Sequence, residues 1–181
     1  MVIFFGPAGA GKSVQGQMLS ESMKWKWISS GQLLRESADQ EIVKLLAGGR
    51  LVPLEKFGQL FAKAITDAKD YDNIILDGFP RKVEQAQWLS ERREELGRDL
   101  ELAIVMDIPK EELMKRMLLR GRADDTPEAI SQRLSIYHQE IDPILAYLTE
   151  QQIPVIHIDG VGSVVAINER VLKEIQAQNL G

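Results

Sequence analysis

Apolar and polar positions follow two rhythms along the chain. Val2 to Phe5, Asn73 to Leu76, Leu102 to Ile108 and Val155 to Ile158 are short, nearly continuous apolar runs, each bounded by Gly, Asp or Pro. Such runs predict strands buried on both faces, as in a parallel sheet. Between them, Lys12 to Lys24, Leu54 to Lys69, Lys82 to Glu95, Lys110 to Leu119 and Pro127 to Leu148 repeat apolar residues at three-and-four spacing, which predicts helices. Thr126 and Pro127 supply an N-cap and a first-turn proline for the last of these. Strands alternating with helices need right-handed crossovers, so the expected fold is α/β, with a parallel sheet layered between helices. Ligands of such sheets collect at the carboxyl ends of the strands.

Two segments break the rhythm. Residues 29–52 hold two short helical stretches ending in GGRLVP and no strand of their own, so they are expected to pack as a small insert over the sheet. Residues 120–126, opening with RGRADD, are too charged for a core and predict a short exposed loop between two helices. Trp25 and Trp27, either side of Lys26, predict an extended piece leading into the insert, with packing as their role.

Composition narrows the function. At 181 residues and 44% hydrophobic, the chain suits one domain spanning 1–181. With 27 acids against 22 Lys and Arg, its net charge of -5 argues against a nucleic-acid partner, so any bound phosphate must be held by a local cluster. No apolar run approaches the ~20 residues of a membrane span, which predicts a soluble protein without a membrane partner. The chain has no cysteine, which excludes disulfides and Cys-based zinc sites and suits the cytoplasm.

GPAGAGKS, Gly6 to Ser13, fits GxxxxGK[ST] between an apolar strand and a helical pattern. In that setting Gly6, Ala8, Gly9, Ala10 and Gly11 turn backbone N–H groups toward phosphate oxygens. Lys12 reaches the β and γ phosphates, and the helix N-terminus adds its positive dipole. Ser13 is placed to ligate Mg2+. The fold class thereby becomes P-loop NTPase-like. SSGQ, Ser29 to Gln32, lies too close to this loop to be a transporter-ATPase signature, and no Asn-Lys-x-Asp guanine motif occurs.

LDGFPR, Leu76 to Arg81, ends a strand with an acid and follows it with a base. Asp77 is placed to hold the water shell of Mg2+, Gly78 permits close approach of a ligand, and Pro80 stiffens the turn. Arg81 is then expected to point away from the metal toward a second anion. The alternative is a capping Asp77 and a surface-paired Arg81.

Taken together, GPAGAGKSVQ, ISSGQLLRE, LVP, LDGFPR, RGRADD and the following QRL resemble, in order and spacing, the adenylate kinase family of nucleoside monophosphate kinases. The resemblance covers essentially the whole chain. It implies a five-stranded parallel core, a nucleoside-monophosphate-binding arm at 29–52 and a short, zinc-free lid at 120–126. It further implies a monomer that catalyses ATP plus AMP giving two ADP with Mg2+. Lys12, Ser13 and Val14 fall on the ATP phosphates, and Gly160, Val161 and Gly162 match the turn that meets the donor adenine. Ser30, Gly31, Arg35, Leu51, Val52, Gly78, Arg81 and Gln85 fall around AMP. Arg116, Arg120, Arg122 and Arg133 match the lid and donor-site arginines. Arg116 also belongs to the ATP set, and Arg122 and Arg133 to the AMP set. Asp124 and Asp125 match the lid's acidic pair. For the arginines taken alone, pairing with Glu111, Glu112 and Glu140 on helix surfaces is the competing role.

The chain departs from the family pattern at several points. GKSVQ stands for GKGTQ, so Val14 replaces a threonine. In the ISTGD pattern Ser30 replaces a threonine and Gln32 an acid, and the arm is shorter. Gln85 resembles the adenine-reading members, since one amide both donates to and accepts from an adenine edge. UMP and CMP are the alternative acceptors. A weakly active nucleotide-binding relative is the alternative from another class. His138 and His157 have no task in this chemistry and read as structural.

Overall fold

The structure, a computed structural model, describes residues 1–47, 52–121 and 125–180. Strands β1 (Val2–Phe5), β2 (Lys26–Ser29), β3 (Ile74–Asp77), β4 (Leu102–Asp107) and β5 (Val155–Asp159) form one sheet in the order β2-β3-β1-β4-β5. Every pairing is parallel. The strand order reverses across β1 and β4, which places a crevice beside the carboxyl end of β1.

Helices α1 (Lys12–Met23), α4 (Leu54–Asp67), α5 (Val83–Glu91), α7 (Lys110–Arg120), α8 (Pro127–Glu150) and α9 (Val164–Ala177) cover both faces. Period-two alternation in the strands divides the core accordingly. Ile3, Phe5, Leu76 and Val105 pack with Phe61, Leu89 and Ile144 from α4, α5 and α8. Val2, Phe4, Ile75 and Ile104 pack with Leu19, Met117 and Val171 from α1, α7 and α9. Thr126 caps α8 as expected, its hydroxyl accepting from the N–H of Ala129. Among the described residues, no helix is long and apolar enough to cross a membrane.

The structure revises three expectations. The extended piece at Trp27 is strand β2, paired with β3 from Lys26↔Ile74 to Ser29↔Asp77, and Trp25 lies just before it. It escaped the apolar-run pattern because it is an edge strand with an exposed Lys26. The helix predicted over Lys82 to Glu95 is two, α5 and the short α6 (Arg93–Leu96). Helix α9 had no predicted counterpart. In the 29–52 segment the two short helices are α2 (Ser30–Arg35) and α3 (Gln40–Ala47), but GGRL lies outside the described residues.

Candidate active site

A cavity of about 340 Å³ opens between the loop after β1, the turn after β3 and α8. Gly6, Ala8, Lys12, Asp77, Gly78, Arg81 and Arg133 of the expected site line it. Its remaining wall is largely apolar, with Phe5, Ile136, Ile141 and Ile144 prominent. Parallel pairing creates this meeting of distant segments: Phe4 of β1 lies beside Asp77 of β3, so loop and turn leave the same sheet edge.

Within the loop, Gly11 caps α1 at φ +87°, and the Ala10 N–H donates to the carbonyl of Pro7 at 3.2 Å. The Lys12 ammonium bridges the loop, donating to the carbonyls of Gly6 at 2.6 Å and Pro7 at 3.1 Å. Burial holds its pKa below the ordinary lysine value, with nearby Asp77 opposing that shift and Arg81 adding to it. Arg81 therefore acts electrostatically on the same cleft as Lys12. Asp77 and Arg81 both line this one volume.

The Ser13 hydroxyl donates to Asp77 Oδ2 at 2.8 Å. Asp77 is buried and lines the cleft while Ser13 is exposed, so the pair joins two hard oxygen ligands at the edge of the phosphate loop. This donor set fits Mg2+ held mainly through water and phosphate oxygens. Val14, expected beside the ATP phosphates, is 44% exposed next to Ser13.

Gly78 has φ +79°, and a Cβ there would fall 2.5 Å from Ser30 Oγ, so the turn accepts only glycine comfortably. Its carbonyl accepts from both Ser30 Oγ and Arg81 Nε, each at 2.8 Å. The Gln85 carbonyl oxygen accepts from the Arg81 N–H at 2.7 Å, which leaves its amide donors for a ligand. Arg35 folds back over Gly31, whose missing side chain makes the room. Val52 is half-buried against the core, and Leu51 lies outside the described residues. Ser30, Arg35 and Gln85 do not line the cavity.

Arg116, Arg120, Gly160, Val161 and Gly162 are also off the cavity. Arg116 Nε donates to Glu112 at 2.8 Å and its Nη2 to the carbonyl of Gly160 at 2.9 Å, which joins α7 to the turn after β5. In that turn, the Gly160 N–H donates to the carbonyl of Asp107, the Val161 N–H to Asp159, and the Val161 carbonyl accepts from Arg170. Backbone groups expected to meet a base are thus engaged by protein. Arg120 binds Asp125 through two bonds of 3.0 and 2.8 Å, and Arg133 reaches the same carboxylate at 3.0 Å. Surface pairing, weighed as the competing role, does hold Arg116 through Glu112, but Arg120 and Arg133 converge on a buried acid. Arg122 and Asp124 lie outside the described residues.

Sequence reasoning missed Arg170 and, apart from Arg133, the cavity-lining residues of α8. The i, i+7 and i+8 spacing of Arg133, Glu140 and Ile141 was the available signal. His157 pairs with Asp107 at 2.8 Å, and His138 stacks edge-on against Tyr137; neither reaches the cleft.

Comparison with known proteins gives the chain its family. The family model described as adenylate kinase matches residues 4–153. The adenylate kinase of Mycolicibacterium paratuberculosis is 36% identical over 177 residues, covering 94% of this chain and 96% of its own. That of Nocardia farcinica is 33% identical, covering 96% and 98%. The adenylate kinase of Prochlorococcus marinus is 36% identical over 155 residues and covers 82% and 84%.

Proposed function

The chain belongs to the adenylate kinase family, and from that premise we propose how its cleft performs the reaction ATP plus AMP giving two ADP. It is a nucleoside monophosphate kinase, a phosphotransferase, and the relatives' names do not favour a UMP or CMP kinase. In this reading the loop Gly6–Ser13 takes the ATP phosphates and Arg116 meets the donor nucleoside beside Gly160 to Gly162. Ser30, Gly31, Arg35, Gly78, Arg81 and Gln85 surround AMP. Residues 29–52 act as the monophosphate arm and 120–126 as the lid.

One observation carries the reading: Lys12 of the loop and Arg81 of the turn face a single cavity with Asp77. The acceptor phosphate is already an anionic nucleophile, so no general base is needed. The chain's work is to bring two polyanions into line and offset their repulsion. Lys12 does so from the donor side and Arg81 from the acceptor side. Arg120, Arg133 and Arg122 bring further positive charge as the lid closes, and closure excludes water that would otherwise accept the phosphoryl group. Ser13, and Asp77 through water, would hold Mg2+, which would supply neutralisation of phosphate charge. In this reading the enzyme acts as a monomer in the cytoplasm, with ATP and AMP as its substrates.

The test is to mix the protein with Mg-ATP and, separately, AMP, UMP, CMP and GMP, and to follow the diphosphates formed. Rapid ADP formation with AMP is expected. Preference for a pyrimidine acceptor would overturn the role of Gln85, and no transfer to any acceptor would overturn the whole reading.

A further inference from the structure

A cleft suited to phosphates contains an acid for which the reaction has no task. Glu140 lies on α8 two helical turns beyond Arg133 and on the same face. It lines the cavity with Lys12, Arg81 and Arg133, and it has no hydrogen-bond or ion-pair partner among the described residues. Asp77, the other acid of the cavity, is engaged by Ser13. Three cations and two carboxylates thus face the volume where phosphate oxygens gather.

We infer that Glu140 sets nucleotide affinity: its carboxylate loosens the grip of the cleft on phosphate groups. Coulomb energy falls only as the inverse of distance and is weakly screened in a partly desolvated cleft, so one carboxylate acts on both substrates and both products. A stronger grip shared equally by ground and transition states lowers no barrier and retains product. A fixed opposing charge avoids that outcome without displacing any cation from its task.

The inference rests on reading the cavity as a phosphate site, and its test is separable from turnover. Binding of inorganic tripolyphosphate and of ADP is measured by calorimetry at low and high salt for the wild type, Glu140→Gln, Glu140→Ala and Glu140→Asp. Both neutral variants are expected to bind roughly five- to tenfold tighter at low salt, with the advantage shrinking as salt rises. Glu140→Asp, which keeps the charge, is expected to match the wild type. Unchanged or weaker binding in the neutral variants, or an advantage indifferent to salt, would overturn the inference. Absence of phosphoryl transfer by the wild type would overturn the enzymatic reading alone, because tripolyphosphate binding is read without catalysis.

Discussion

The hydroxyl of Ser30 donates to the carbonyl of Gly78 across 2.8 Å, tying the start of α2 to the turn after β3. The contact leaves no space for a side chain at position 78, where φ is already positive. Gly78→Ala is expected to lower stability by about 1–3 kcal/mol, read by urea unfolding. Adding Ser30→Ala removes the nearest clash and should recover part of the loss, leaving the backbone strain. Full recovery would show that crowding alone makes the glycine necessary.

Arg81 and Lys12 share one cleft but lie on different segments, and their deletions should separate. Arg81→Ala is expected to raise KM for AMP by about tenfold or more while leaving ATP affinity within about twofold, as charge-assisted phosphate contacts are among the stronger ones. Lys12→Ala should cut kcat by orders of magnitude with the fold intact. Equal loss of both nucleotides in Arg81→Ala would mean that the two phosphate positions are misassigned.

Asp125 is buried and receives guanidinium groups from both α7 and α8. Asp125→Asn keeps the shape and removes the charge. Because both arginines are about a third exposed, the expected loss is only about 1–2 kcal/mol in thermal or chemical unfolding. A variant as stable as the wild type would show that solvent already satisfies the two arginines.

The lowered pKa of Lys12 makes stability and ATP binding depend on pH in opposite directions. Between its depressed folded value and the ordinary value of 10.5, the unfolded chain holds a proton that the folded chain lacks, so this residue's contribution to stability rises with pH across that window. A polyphosphate arriving at the loop favours the charged ammonium, and ATP binding should therefore take up protons there. Calorimetry in buffers of different ionisation enthalpy reads the uptake, and Lys12→Met should abolish it. Proton-neutral binding throughout the window would rule out the coupling.

The phosphate loop, the LDGFPR turn and the strands flanking them were legible in the sequence because each combines a local backbone demand with a chemical one. Glycine freedom, a strand end and a charged side chain fall within a few residues. Strand β2 was harder to read because an edge strand need not be apolar on both sides, and Lys26 interrupts it. Helix α9 lacked a distinctive cap pattern beyond Ser163, whose hydroxyl accepts from the N–H of Ala166. The sharing of Asp125 by Arg120 and Arg133 could not be derived from periodicity, since it depends on how α7 and α8 meet. Likewise, Glu140 looked like a surface partner for arginines until the packing of α8 turned it toward the cavity.

The Gln15 side chain of α1 donates to the carbonyl of Val164 and accepts from the amide of Asn168, 153 residues further along the chain. The helix that carries the phosphate loop therefore finishes its burial only after α9 has been synthesised. Long-range closure of this kind slows folding, because the loop entropy must be lost before the contact forms. Docking of α9 is therefore what completes the burial of α1 behind the phosphate loop.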